Sequence, residues 1–183
     1  NKMNDKSKKL IFIHSFFYPD YSAGSQMLTD LSFDLAKNGF DVTVIVSKKL
    51  YNDVKKSLPN KEKINDVDVQ RVSSLSLKKN SYVGRALNYI SLEIAIIIKL
   101  FALIDKRTVV VIMTDPPLLN VFLYLIIKFK KAIIVNWLQD LFPEVAVSAG
   151  LFREKSYINR ALKKCRNLVL RKSDKNVVIG SIM

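Results

Sequence analysis

Short apolar runs alternate with longer amphipathic stretches along most of the chain. Leu10-Ile11-Phe12-Ile13-His14, Asp41 to Val46, Val109 to Met113 and Ile133 to Trp137 are β-branched or continuously apolar. Their length and bounding turns predict buried strands. Asn176 to Ile179 reads as a final strand, and the alternating Val67 to Val72 suits an edge strand. Between them, apolar residues recur at helical spacing. Ser25 to Lys37 carries Leu28, Leu31, Leu35 and Ala36, and Asn38-Gly39 supplies the stop. Tyr82 to Ile104 has one stripe through Val83, Leu87, Ile90, Ile94, Ile97, Phe101 and Ile104, flanked by a second through Ala86, Tyr89, Ile96, Leu100 and Leu103. Leu118 to Phe129 is a further apolar helix. Tyr157 to Arg171 sets Ile158, Ala161, Leu162, Cys165, Leu168 and Val169 against a basic face. Lys48 to Asn65 is charged and aperiodic, which predicts a loop with a short helix.

Strands that are apolar on both sides and alternate with helices imply a Rossmann-like α/β fold. Its sheet is parallel, with helices on both faces. Ligands of such sheets sit beyond the carboxyl ends of the strands. That rule marks Phe17 to Ser25, Thr114 to Leu118 and Leu138 to Glu144 as the candidate site.

Composition narrows the chemistry. The 183 residues are read as one domain, with residues 1–9 disordered or next to a tag. One cysteine, Cys165, and one histidine, His14, exclude a disulfide scaffold and any multi-Cys or multi-His metal site. Lys and Arg outnumber Asp and Glu by 30 to 16, a net charge of +14 that favours polyanionic partners without choosing among them. No secretory signal pattern is present in the sequence. The opening at Asn1 and the close on a strand entering its loop lead us to expect a fragment whose missing part is C-terminal. Lys99 interrupts the Tyr82 helix, and Leu118 to Ile127 is about half a bilayer span, so neither is read as a transmembrane helix. Apolar surface beside Lys78, Lys79 and Arg85 fits either an anionic membrane surface or a hidden protein contact.

The loops carry the candidate chemistry. Ala23-Gly24-Ser25 opens a helix, where backbone N–H groups and the dipole favour an anion; the plainer reading is a turn glycine with Ser25 as N-cap. The dinucleotide fingerprint and the P-loop are both absent from the sequence. Gln139-Asp140-Leu141-Phe142-Pro143-Glu144 puts two carboxylates past a central strand. They can orient a hydroxyl, or Asp140 can cap the next turn with Glu144 in solvent. Asp115-Pro116-Pro117 ends a strand and starts a helix. Trp137 and Phe142 read as packing, His14 as a core or rim histidine, and Cys165 as inert core.

These stretches together resemble the N-terminal half of GT-B-fold retaining glycosyltransferases of the large family 4 type. The likeness is greatest to bacterial enzymes building capsule, O-antigen or colanic-acid-like polysaccharides. It rests on Phe16-Phe17-Tyr18-Pro19 with Ala23-Gly24-Ser25, where the family usually has Gly-Gly, and on Leu35-Ala36-Lys37-Asn38-Gly39-Phe40-Asp41-Val42-Thr43-Val44, with Phe40 for the usual His. Thr114-Asp115-Pro116-Pro117, Gln139 to Glu144 and Asp174 to Met183 complete it.

The resemblance implies an acceptor-binding domain whose donor-binding C-terminal domain is absent from this chain. It implies transfer from a nucleotide sugar to a lipid-linked or oligosaccharide acceptor with retention, without metal or other cofactor. Gly24 and Ser25 would face the donor diphosphate and Asp140 would be the catalytic or acceptor-orienting group. Gln139, Glu144 and Asp115 are acceptor-site candidates, and Lys78, Lys79 and Arg85 candidates for the membrane or a lipid diphosphate. The expected place is cytoplasmic, peripheral on the inner face of the cell membrane, with no nucleic acid partner and no activity in the fragment alone. The alternatives are a basic non-enzymatic module binding membrane or nucleic acid, and half of a GT-B-like sugar-nucleotide epimerase.

Overall fold

The computed structural model describes residues 9–53, 57–77, 82–150 and 153–180. The strands are β1 (Lys9–Ile13), β2 (Asp41–Ser47), β3 (Lys61–Ile64), β4 (Val67–Val72), β5 (Thr108–Met113), β6 (Ile133–Leu138) and β7 (Lys175–Val178). The helices are α1 (Ala23–Lys37), α2 (Tyr82–Leu103), α3 (Leu119–Phe129), α4 (Glu144–Ser148) and α5 (Tyr157–Lys172). One seven-stranded sheet runs β3-β4-β2-β1-β5-β6-β7. All neighbours pair in parallel except β3 with β4. This is the expected Rossmann-like α/β arrangement.

Side-chain alternation along the strands builds a core on each face. Ile11, Ile13, Ile45, Val110, Ile112 and Ile134 pack with Leu92, Ile96 and Leu100 of α2 and Leu119, Leu123 and Ile127 of α3. Phe12, Val44, Val46, Val69 and Met113 face the other way, with Phe17 and Leu28 of α1. Each fully buried aliphatic side chain contributes about 1.5–3 kcal/mol. These clusters fix the strand register, and with it the set of loops that shares the carboxyl-end rim.

Four local expectations are corrected. The charged stretch 48–65 contains strand β3 and no helix among its described residues. Val67–Val72 is therefore not the edge, because β3 lies outside it. Asn65 and Asp66 both have positive φ, the geometry of a tight two-residue hairpin. Ser25 is not an N-cap: Ser22 holds that position, and Ser25 is buried in the first turn, donating to Asp20 O at 3.1 Å. Helix α5 turns Asn159, Arg166 and Val169 inward, leaving Cys165 exposed rather than in the core.

Glu93, on α2 beside the core residue Leu92, is itself buried. Burial pushes its carboxyl pKa up to about 7. The unfolded side chain loses its proton near the ordinary carboxyl range. Between there and pH 7 unfolding therefore releases a proton, and stability falls as pH rises. Glu93→Gln is expected to gain on the order of 2 kcal/mol at pH 8 and almost nothing at pH 4, read by urea denaturation.

Candidate functional site

The loops after β1, β2, β4, β5 and β6 leave the sheet on one rim, held together by backbone bonds beyond the strands. Ser15 N–H donates to Asp115 O at 3.0 Å, Ser47 N–H to Ser15 O at 2.9 Å and Lys48 N–H to Val72 O at 3.0 Å. Three X-Pro bonds in these loops, Tyr18-Pro19, Asp115-Pro116 and Phe142-Pro143, are cis.

The first loop is fixed by charged side chains. Asp20, buried, accepts from Ser22 N–H at 2.8 Å and from Tyr51 N–H at 2.6 Å. Arg71 reaches from β4 to donate to Tyr18 O at 2.8 Å while pairing with Glu62. So tethered, the loop delivers the start of α1 against His14. A Cβ on Gly24 would stand 2.7 Å from His14 Nε2 and 3.3 Å from Gln139 Oε1. Gly24 is thus the residue that lets α1 close on the rim.

His14 sits at the centre of this junction. Its Nδ1 lies 3.1 Å from the N–H and 2.9 Å from the carbonyl of Phe16, which sets the ring plane. Its Nε2 is 4.0 Å from Asp115 Oδ2. Burial raises the Asp115 pKa, opposed by His14 and the Ser15 hydroxyl. The side chain is nonetheless 37% accessible, because one side opens to a cleft.

That cleft has a volume of about 670 Å³, the size of a small-molecule site. Its floor is Ser15, Phe16, Ser47 and Asp115; Lys49, Tyr51 and residues 74–77 form one side, and Arg85, Asn88, Tyr89 and Leu92 of α2 the other. The 74–77 segment is stapled to α2. Asn88 exchanges two hydrogen bonds with the Leu77 backbone, at 2.9 and 3.1 Å, and Ser91 Oγ accepts from Leu75 N–H at 2.9 Å. Lys49 Nζ donates to Ser74 O and Leu75 O at 2.6 and 2.7 Å, and burial lowers its pKa. Burial and then the Asp115 charge raise the pKa of the Tyr89 phenol. Hydroxyls, three aromatic rings, two cations and a carboxylate in one concavity suit a polyhydroxylated ligand bearing phosphate.

The expected residues divide. Gly24, Gln139, His14 and Asp115 meet at the junction. Ser25 lies beneath it. Arg85 lines the cleft, whereas Lys78 and Lys79 lie outside the described residues. Asp140 is exposed and borders a separate notch of about 30 Å³ with Thr114, Leu141 and Arg166. Such a notch holds about one water. Glu144 is neither in the cleft nor solvated alone. It pairs with both terminal nitrogens of Arg166, with Nη2–Oε1 at 3.0 Å, and Lys163 stands 3.6 Å away. Burial raises the Glu144 pKa, but the Arg166 bond and both cations pull it below the ordinary range. Arg166 also donates to Phe142 O at 2.9 Å, so this pair anchors the loop after β6 to α5.

Sequence reasoning missed the cleft's Ser47, Lys49, Tyr51, Asn88 and Tyr89. Tyr89 carried a usable signal, a phenol within an otherwise apolar stripe; Asn88 is a lone polar residue of the same helix, Ser47 closes a strand, and Lys49 and Tyr51 fall in a stretch without periodicity. Among the described residues, no group of three or more His, Cys, Asp or Glu side chains comes together to hold a metal. No protein-family model matches the chain, and no curated protein matches it.

Proposed function

We propose that this chain is the acceptor-side domain of a retaining glycosyltransferase. It takes a sugar from a nucleotide sugar and passes it to a hydroxyl of a saccharide, one carried on a lipid diphosphate at the inner face of the cell membrane. The observation that carries the reading is the cleft of about 670 Å³ beyond the carboxyl ends of β1, β2, β4 and β5, with Asp115 as its carboxylate.

In this reading the acceptor saccharide lies between Tyr51 and Tyr89, with Arg85 and Lys49 toward its phosphate. Asp115 accepts a hydrogen bond from the attacking hydroxyl, and its burial makes it a better proton acceptor than an exposed carboxylate. The donor diphosphate approaches over Gly24, where the N-terminal amides of α1 offer hydrogen bonds to the departing charge. Asp140 lies outside the cleft, across the Asp115-Pro116 loop, and in this reading orients the part of the acceptor that extends past the cleft onto the open rim. A second α/β domain supplies the remaining donor contacts.

The test is transfer by the full-length enzyme from a panel of nucleotide sugars to polyprenyl-diphosphate saccharides, with the product's anomeric configuration determined. Retained configuration is expected, with loss of about 100-fold or more in Asp140→Asn. Near-wild-type transfer by that variant would remove Asp140 from the reaction. Isomerised donor formed without any acceptor would identify an epimerase instead.

A further inference from the structure

The back of the cleft wall points to a second surface. Helix α2 presents Arg85, Asn88, Tyr89 and Leu92 to the cleft and Leu92, Ile96 and Leu100 to the core. Its opposite side is uncovered: Val83 is 68% exposed and Ile98 67%, with Ile94 and Phe101 between and beyond them about half exposed. Helix α3 packs beside α2 and continues the surface with Leu125 at 74% and Phe129 at 77%. By length and composition Val83–Leu103 is able to cross a membrane. Its inner stripe, however, is locked into the domain core. A helix so held can lie along a bilayer but cannot thread it without unfolding the sheet.

Charge distinguishes a lipid surface from a protein partner. Helix α3 contains no acidic residue, and Glu93, the single acid of α2, is buried on the inner side. Lys106, Arg107, Lys130 and Lys131 follow the ends of the two helices, where Arg107 lies 3.9 Å from the exposed Asp105, and Lys130 Nζ lies 4.1 Å over the Phe101 ring. The exposed stripe itself offers no hydrogen-bonding side chain. Protein interfaces of ordinary size carry about ten hydrogen bonds, whereas an acyl layer requires none. Basic residues at the margin of an apolar helix face are the arrangement that anionic headgroups attract.

We infer that the joint outer face of α2 and α3 docks on an anionic lipid leaflet, with Ile94, Ile98, Leu125 and Phe129 among the acyl chains and Lys130 and Lys131 among the headgroups. The same helix then separates cleft from bilayer, so a lipid-anchored ligand reaches Arg85 and Tyr89 around the start of α2. Docking stands without sugar transfer; its use in delivering a lipid-linked acceptor rests on the function proposed above.

The experiment is flotation with vesicles of phosphatidylcholine alone and of phosphatidylcholine with phosphatidylglycerol. Binding at least about tenfold tighter to the anionic vesicles is expected. The Ile98→Glu/Leu125→Glu pair, both outward-facing, should lose about 100-fold while keeping its circular dichroism spectrum. Lys130→Glu/Lys131→Glu should lose the anionic preference. In Ile98→Trp, brominated lipid should quench the added indole and spare Trp137, which lies on the opposite face of the sheet. Absent vesicle binding, binding indifferent to Ile98→Glu/Leu125→Glu, or a homodimer that this pair dissolves would overturn the inference. A full-length enzyme that glycosylates a soluble acceptor but ignores vesicles defeats the docking alone. Vesicle binding with no transfer to any acceptor defeats the sugar reading alone.

Discussion

Gly24→Ala is expected to destabilise the protein by on the order of 1–2 kcal/mol and to weaken nucleoside-diphosphate binding by about tenfold or more. The sign is contrary to local propensity. Gly24 lies in the first turn of α1, and alanine in a helix is ordinarily up to about 1 kcal/mol better than glycine. Here the added methyl would stand 2.7 Å from His14 Nε2 and 3.0 Å from Cε1. The imidazole is enclosed, with 4% of its side-chain surface accessible, and its Nδ1 is held against the Phe16 backbone. Relief must come from moving the start of α1 away from the rim, which also moves the amides offered to the diphosphate. Urea denaturation and calorimetric titration with a nucleoside diphosphate measure the two effects. A double-mutant cycle with His14→Ala isolates the cause: removing the ring should make Gly24→Ala much less costly. Full stability and unchanged binding in the single variant would show that the close approach at Gly24 has no role.

How far the sequence leads depends on which physical signal a residue carries. β1, β2, β5 and β6 are apolar, largely β-branched runs, so composition alone marks them. β3 reads Lys-Glu-Lys-Ile and packs on a single neighbouring strand; its only local sign is the Asn65-Asp66 turn. Helix α5 shows a clear apolar stripe, yet it turns Arg166 and Asn159 inward. Arg166 meets Glu144 and the Phe142 carbonyl, and Asn159 donates to Glu154 O at 2.6 Å. Periodicity records which positions are greasy, not which polar side chain has found a buried partner. The candidate site is legible to the same extent. Strand polarity marks the rim, and Gly24, Asp115, Gln139 and Arg85 lie on it or in its cleft. The side walls come from segments near 50, 75 and 88, and only the folded chain brings those together.

The larger effect is expected at Asp115. Among the described residues it is the single carboxylate lining the cleft, flanked by His14 and Ser15 and close enough to Tyr89 to raise its phenol. Asp115→Asn keeps the side-chain shape and the backbone bond from Ser15 N–H to the carbonyl of residue 115 but removes the proton acceptor. In the full-length enzyme kcat should fall about 100-fold or more. Asn does not titrate, so the variant's kcat should stay flat across the pH range in which the wild-type carboxylate protonates, and the gap between the two should narrow toward low pH.

The central claim is that the large cleft holds the recipient of the sugar and not its donor. The most direct measurement is steady-state kinetics of Asp115→Asn in the full-length enzyme, with each substrate varied in turn. The account expects a fall in kcat with a raised KM for the lipid-linked saccharide and a KM for the nucleotide sugar within about twofold of wild type. A raised nucleotide-sugar KM with the acceptor KM unmoved, or kinetics indistinguishable from wild type, would contradict it.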